Sequence, residues 1–434
     1  MKYLYKILAI LFLVPTLGIA QNVLNLEDAI AIALKSNYDI QLAENSVVQA
    51  DNNKSVYNSG FLPTVTANAD ARYNTSNAKI TDQQGNERDI EGVQTSGYGA
   101  SVGLNYVLFN GGARKYQYDK LKNLFALSSL QKKTQIENTL IDVYTTYYNL
   151  ARSQEQKKTI EEAYKISKER LERVVVQQEY GQKSNLDILN AKVDANKDSI
   201  NLINVAVQVE NNRRNLNFLL GREISTVFSV DSEVRLDSNL SYLELLTQLK
   251  SNNNELKQLE LNQSITQQDL KINQAGWLPS VTTNASYGYN FNDNGPAGFL
   301  AKQQSTGLSA GLNLSWNVFD GGATKVRVQN AKIAMKTQEL NKQKIQLNLE
   351  NQLATFWAEY TTQQAIIENE KINVEVSNQN FLKSKELFNL GKVTSIEYRQ
   401  AQLNLINNKL NLLNAKYNAK IAELQLKKFA GLLG

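Results

Sequence analysis

Two acids with the same local spacing carry the clearest chemical signal in this chain. Asp187 lies three residues after Ser184, and Glu397 three residues after Thr394. Hydroxyl-x-x-acid is the helix capping box, in which the hydroxyl and the carboxylate each accept a backbone N–H at a helix start, although Glu or Gln is the usual acid. Each box follows a glycine: Tyr180-Gly181-Gln182-Lys183-Ser184 precedes the first, and Leu390-Gly391-Lys392-Val393-Thr394 precedes the second. Other chemistry is scarce. The chain of 434 residues has no Cys and no His, so zinc sites, Ser-His-Asp triads, Cys-His nucleophiles and haem ligation lack their residues. No cofactor and no metal site is expected. The spaced Gly97, Gly99 and Gly103 are not a nucleotide-binding loop, because they fall inside a strand pattern with no helix directly after it. The net charge of +5 includes Lys2 and Lys6 of the leader, and acids and bases interleave without a basic face. Nucleic acid is therefore not an expected partner.

The elements that must position these residues come in two copies. Lys2 and Lys6, the apolar run Ile7 to Leu17 and the small residues Gly18 and Ala20 make a secretory leader over 1–20, with cleavage expected before Gln21. Gly60-Phe61-Leu62-Pro63-Thr64-Val65-Thr66 recurs as Gly276-Trp277-Leu278-Pro279-Ser280-Val281-Thr282, 216 residues later. Phe109-Asn110-Gly111-Gly112-Ala113 recurs as Phe319-Asp320-Gly321-Gly322-Ala323 at an offset of 210, which then holds through Gly181/Gly391 to Gly221/Gly431. The chain is a duplication: a first repeat over 21–221, a linker over 222–242 without clear periodicity, and a second repeat over 243–434.

Each repeat opens on a helix, the first spanning 26–59 and ending at Gly60. A β-hairpin of two strands, each of about ten residues, follows over 63–109 and 279–319. Val65, Ala67, Ala69, Ala71 and Tyr73 alternate with Thr66, Asn68, Asp70 and Arg72, and the polar stretch Asn74 to Thr95 reads as a loop. The pairs Gly111-Gly112 and Gly321-Gly322 permit a sharp strand-to-helix turn through positive φ. Helices of about 68 residues, over 113–180 and 323–390, contain no Pro or Gly and reach roughly 100 Å. Return helices occupy 185–220 and 394–430. Leu186, Val193, Ile200 and Val207, and Ile396, Leu403, Leu410, Tyr417 and Leu424, recur every seven residues, the period of a left-handed coiled-coil seam.

Apolar-polar alternation over about ten residues, with aromatic residues near the ends, is the pattern of a transmembrane β-strand. Four strands cannot close a barrel, and open edges in hydrocarbon leave backbone groups unpaired at several kcal/mol each. Two copies would supply eight strands and three copies twelve, so oligomerisation follows but its number does not.

Taken together, the duplication, the hairpin placement, the Gly-x-Leu-Pro and Phe-[Asn/Asp]-Gly-Gly motifs and the glycine-centred tips resemble the outer-membrane efflux protein (TolC) family over essentially the whole mature chain. The resemblance implies a mainly helical fold with transmembrane β: a homotrimer forming a twelve-stranded β-barrel on a twelve-helix α-barrel. It also implies a channel in the outer-membrane lipid, working with a periplasmic adaptor and an inner-membrane pump in efflux or secretion. By the same resemblance, Asp187 and Glu397 are candidates for a gate at the periplasmic entrance, where three protomers would present six carboxylates. Tyr180, Gly181, Gln182, Lys183, Ser184, Leu390, Gly391, Lys392, Val393 and Thr394 are candidates for adaptor docking. Some family members carry a second acid three residues on, where this chain has Asn190 and Gln400, which argues against a tightly acidic gate. A periplasmic coiled-coil adaptor or a structural protein without a pore would account for the long helices but not for the hairpins. An enzyme would need a constellation the chain lacks.

Overall fold

The computed structural model describes residues 23–81, 84–237, 239–295 and 300–433. The expected leader and its cleavage point lie outside them. Strand β1 (Val23–Leu24) leads into helices α1 (Leu26–Ser36) and α2 (Tyr38–Asn53), strands β2 (Thr64–Thr81) and β3 (Glu87–Asn110), then helices α3 (Ala113–Glu179) and α4 (Asn185–Leu219). After β4 (Ser229–Val230) the order recurs as α5 (Tyr242–Asn252), α6 (Asn254–Ala275), β5 (Ser280–Asp293), β6 (Lys302–Ser315), α7 (Ala323–Asn389) and α8 (Ser395–Phe429). The fold is mainly helical with a smaller share of sheet. Helices α3 and α7 have 67 residues each, and α4 and α8 have 35 each. With no Pro or Gly inside the long pair, nothing interrupts the i to i−4 ladder.

The single helix expected over 26–59 is in fact two, because Asn37 interrupts it. Its Nδ2 donates to the Leu219 carbonyl at 2.8 Å, while its Oδ1 accepts from the N–H groups of Asp39 (2.9 Å) and Ile40 (3.2 Å). One side chain thus caps α2 and fastens the α1–α2 junction to the end of α4. Asn253 repeats the device, donating to the Phe429 carbonyl at 3.2 Å and accepting from Glu255 and Leu256. Apolar periodicity runs straight across such a break and does not register it. Beyond Asn53 the chain passes through a short 3-10 turn, Val56–Asn58, instead of continuing as helix to Gly60. Replacing Asn37 by Ala is expected to cost about 2 kcal/mol, a lost cap plus a half-buried carbonyl left without its donor. A thermal midpoint close to that of the wild type would refute this, and Asn37→Asp should retain the capping part.

The chain forms two compact units. One comprises Ser46–Leu130 and Gln258–Gln343 and holds a four-stranded antiparallel sheet in the order β2-β3-β5-β6. Its register aligns the alternation of all four strands. Ala67 pairs with Val102, Val102 with Tyr287, and Tyr287 with Leu308, so one face is mainly apolar, with Thr283, Thr306 and Gln304 also on it. The opposite face carries Asn68, Ser101, Gly288 and Gly307 at the same level. Glycines on that face make room for amides: a Cβ on Gly99 would lie 2.7 Å from Asn290 Oδ1, and one on Gly97 would lie 2.7 Å from Asn292 Oδ1.

The expected ten-residue strands and loop over Asn74 to Thr95 need correction. Strands β2 and β3 have 18 and 24 residues and stay paired as far as Thr81↔Glu87. The added segment pairs through its backbone, which needs no apolar alternation. Asn77 sits in a bulge where its Oδ1 accepts from the Gly92 N–H at 2.9 Å, and Lys79 meets Glu87 at 2.6 Å. Tyr98 therefore lies well inside its strand. It stacks on Phe291 at 4.8 Å, near the last β3–β5 pair (Ser96↔Asp293), where four strands give way to two.

The other unit comprises the described parts of Met1–Asn45, Gln131–Lys257 and Lys344–Gly434. Tyr147, Leu150, Leu216, Leu220, Phe228, Val230 and Tyr417 are buried in its core. The aperiodic linker is pinned here by side chains. Strand β4 pairs in parallel with β1, and the Tyr147 hydroxyl donates to the Leu24 carbonyl (3.0 Å) while accepting from the Asp231 N–H (3.1 Å). Tyr417 donates to the Ser232 carbonyl and Tyr360 to the Asp237 carbonyl. The Asp237 N–H reaches the fully buried Glu423, which also accepts from Lys420 and Lys427. Burial pushes the Tyr148 hydroxyl up to about 12 and the Tyr417 hydroxyl higher still, so the Tyr417 hydroxyl keeps the proton it donates.

Candidate functional site

Each long helix ends on a glycine in the left-handed region, Gly181 at φ 73° and Gly391 at φ 70°. The Gly181 and Gln182 N–H groups return to the carbonyls of Gln178 and Gln177, both at 2.8 Å; those of Gly391 and Lys392 return to Phe388 and Leu387. This is the Schellman closure that glycine favours. Both capping boxes form. Ser184 Oγ accepts from the Asp187 N–H (3.2 Å), and Asp187 Oδ2 accepts from the Ser184 hydroxyl (2.7 Å) and N–H (3.0 Å). Thr394 and Glu397 reproduce this at 3.1, 2.8 and 2.7 Å. The Ser184 hydroxyl, then its N–H, holds Asp187 below the usual carboxylate range; the Thr394 N–H, then its hydroxyl, does the same for Glu397. Because both acids are lowered in the folded state, the stability they lend is present above the ordinary carboxylate range and is lost as pH falls through the lowered value. Amide protection in the first turns of α4 and α8, corrected for the intrinsic pH dependence of exchange, is therefore expected to begin falling within the ordinary carboxylate range and to level off only below the lowered values of Asp187 and Glu397.

The docking candidates differ in setting. Tyr180, Gly181, Gln182, Ser184, Leu390, Gly391, Lys392 and Thr394 are exposed, whereas Val393 packs against the buried cluster of Phe381, Phe388 and Tyr398. Lys183 Nζ stands 5.8 Å over the Phe388 ring. At the strand-to-helix turns Gly111, Gly112, Gly321 and Gly322 all have positive φ, and a Cβ on Gly111 would come within 2.6 Å of the Ala275 carbonyl.

The two acids do not lie level. Helices α4 and α8 both run away from their tips, and they are joined by contacts between residues 201 apart in sequence: Arg399 grips Asp198 with Nη1 to Oδ2 at 2.6 Å and Nη2 to Oδ1 at 2.8 Å. Arg170 of α3 touches Asp194 at 2.5 Å and the Ser395 carbonyl at 3.3 Å, again a pair 201 apart. Equivalent repeat positions are 210 apart. The nine-residue difference staggers Asp187 and Glu397 by roughly 13 Å along the helices.

The contacts that set this stagger form a buried polar cluster that sequence reading missed. Ser167 donates to Asp198 and accepts from Arg399 (3.0 Å), and Gln402 donates to the Ala163 carbonyl (2.9 Å). Ser167, Arg170, Asp198, Arg399 and Gln402 are all buried. A groove of about 290 Å³ beside the cluster is lined by Asp187, Asn190, Asp194, Ile396, Arg399 and Gln400, among others. The available signal was a failure of the repeat. At the 210 offset, Arg170, Asp194 and Asp198 correspond to Asn380, Asn404 and Asn408, and Arg399 corresponds to Leu189.

Among the described residues, no helix is long and apolar enough to cross a membrane. A family model described as outer membrane efflux protein matches residues 29–222 and 245–432. The chain is 23% identical over 371 residues to outer membrane protein TolC of Escherichia coli, covering 80% of this chain and 72% of the relative. It is 22% identical over 308 residues to TolC of Vibrio cholerae, covering 68% of each. Among solved structures, the CmeC outer membrane channel of Campylobacter jejuni superposes with a TM-score of 0.79 at 18% identity, covering 94% of this chain and 85% of that one. The MtrE outer membrane channel of Neisseria gonorrhoeae, solved in an open state, gives 0.72 at 16% identity, covering 94% and 89%. At these identities the likeness is one of fold.

Proposed function

This chain belongs to the outer membrane efflux protein family, and from that premise we propose that it is the outer-membrane duct of a tripartite efflux or type I secretion assembly. It is an outer-membrane protein and an efflux channel by family; the assembly, the direction of transport and the roles below are our reading. In it, a homotrimer conducts cargo passively outward from a periplasmic adaptor and an inner-membrane pump, without catalysis of its own.

The observation that carries this reading is the sheet. Its apolar face stays open along all four strands, with Val65 65%, Tyr287 58% and Leu308 75% exposed, and its outer strands β2 and β6 have no partner on their free sides among the described residues. Hydrocarbon covers such a face, but it does not tolerate the free edges. Joining β2 of one copy to β6 of the next satisfies both, and three copies make twelve strands. Apolar residues on the helices support the same assembly. Leu186, Val193, Ile200 and Val207 on α4, and Val326, Ile333, Leu340 and Leu347 on α7, recur every seven residues and are exposed in the single chain. A pore-less adaptor gives the open apolar sheet no role. Light scattering of the detergent-solubilised protein should report three chains per particle, and planar bilayers should show conductance. A monomer soluble without detergent would sink the proposal.

Asp187 and Glu397 then act as two rings of three carboxylates at the entrance. A 13 Å stagger exceeds the screening length of roughly 8 Å at physiological salt, so the rings are nearly independent. Asp187→Asn and Glu397→Gln should each lower the cation preference read from reversal potentials, and their effects should add. A double variant no different from either single one would mean a single coupled ring.

A further inference from the structure

We propose that the free edges of β6 and β2 join between copies in the register that β3 and β5 already hold within the chain, placing Asn313 of one copy opposite Asp70 of the next. The same junction folds residues 316–320 as the end of β6. It rests on the channel reading above and specifies the seam that this reading needs.

Three observations carry it. First, the sheet follows the repeat. Positions of β2 recur in β5 at an offset of 216, and positions of β3 recur in β6 at 210. Both hairpins keep these offsets: Thr64↔Asn105 returns as Ser280↔Ser315, and Tyr73↔Ser96 as Tyr289↔Thr306. The counterpart of the β3–β5 junction is then β6 against β2 of a second copy, and the offsets carry its pairs across. Ala100↔Tyr289 becomes Ala310 with Tyr73, Leu104↔Ala285 becomes Leu314 with Ala69, and Phe109↔Val281 becomes Phe319 with Val65. The residue types are unchanged in all three.

Second, side-chain bulk favours this register over its neighbours. A slip of one residue inverts the faces, so the competitors are slips of two. In the transferred register Tyr73 faces Ala310 and Arg72 faces Gly311, the two smallest residues at the middle of β6. A slip of two sets Tyr73 against Leu308 or Leu312, and Arg72 against Ser309 or Asn313. Glycine opposite a longer polar side chain is how the sheet already pairs, at Gly97↔Asn292 and Gly99↔Asn290.

Third, the stretch 316–320 lies open in the single chain. Its counterpart 106–110 is strand, paired with β5 through a bulge at Leu108. Strand β6 stops at Ser315, and Val318 and Phe319 beyond it are 79% and 85% exposed. The side of β3 that β5 occupies corresponds to the free side of β6. Residues 64–67 of the next copy complete it, with Val318 in the bulge and Asp320 against Thr64.

The chain has no Cys, so paired cysteines can be introduced without background. A Cβ on Gly103 would lie 4.0 Å from that of Ser286, within the span of a disulfide, and Asn313 with Asp70 is the equivalent pair at the seam. Asn313→Cys with Asp70→Cys should oxidise to a covalent ring of three chains that survives boiling in detergent and is lost on reduction. Asn313→Cys with Asn68→Cys, or with Arg72→Cys, reports a slipped register and should link far more slowly, because a diagonal neighbour stands about 7–8 Å away. Gly103→Cys with Ser286→Cys, a link within one chain, is the benchmark for oxidation. A slipped pair that outpaces 313 with 70 overturns the register, as does the absence of any seam link while the benchmark closes. Should Asp70→Cys not assemble, Ser315→Cys with Asn68→Cys tests the same register. In the wild type, amides at 316–320 should exchange as slowly as those at 106–110, and free exchange there overturns the added strand. Light scattering separates the two levels. Three chains per particle with a slipped pair linked keep the channel reading and reject this seam, whereas a lone chain soluble without detergent removes both.

Discussion

Arg399→Leu is expected to lower stability by about 3–5 kcal/mol, among the largest effects of any single substitution in the chain. The guanidinium and the Asp198 carboxylate it grips are 8% and 7% exposed, so solvent screens neither. Removing the arginine leaves a carboxylate in surroundings where it holds only the Ser167 hydroxyl, and Gln402 loses a donor. The loss is the penalty for an unpaired buried charge and does not measure the worth of the pair. Arg399→Leu combined with Asp198→Leu should therefore recover most of it, because two apolar side chains of similar bulk fill the space without a stranded charge. Thermal unfolding in detergent checks both variants. A single variant that melts with the wild type would mean that water reaches Asp198. A double variant no better than the single would mean that shape, and not charge, sets the cost.

The second large effect is expected at Gly221. It has φ +63°, and a Cβ there would lie 2.3 Å from the Ser36 carbonyl oxygen and 2.9 Å from its carbon. Both contacts are backbone, at the end of α1 next to the Asn37 staple, so neither can rotate aside. Gly221→Ala should cost about 2–5 kcal/mol, the left-handed penalty plus the displacement of packed backbone. Gly181→Ala is the matched control. Its φ is +73° with nothing within 4 Å of the added carbon, so about 1–2 kcal/mol of backbone strain is all that remains. Equal losses at the two sites would show that conformation alone, without the close approach, makes glycine necessary at position 221.

Much of this architecture was legible because it is written in local terms. Helix lengths follow from the absence of Pro and Gly between Ala113 and Glu179, and the caps follow from hydroxyl-x-x-acid spacing. The strands follow from alternation, and the positive-φ turns from paired glycines. Other features depend on partners distant in sequence. Asn37 divides a helix whose apolar pattern is unbroken, because its partner is Leu219. The extension of β2 and β3 past Tyr73 is held by backbone pairing and one bulge, and its composition is that of a loop. Arg170, Asp198 and Arg399 are charged residues of the kind that normally cover an exposed face. Only the third helix beside them makes them interior, and no spacing within one helix reports that neighbour.

The nine-residue stagger also bears on how a duplicated gene keeps its two halves distinct. Because α8 meets α4 out of step, the positions of the polar cluster and their counterparts in the other repeat do not share an environment, and selection acts on those two sets separately. A recombination event that wrote the first half over the second would put the Leu189 type at position 399 and leave the Asp198 carboxylate without its guanidinium. The slipped register thus works against homogenisation: the halves are related by descent, yet they are no longer spare parts for one another.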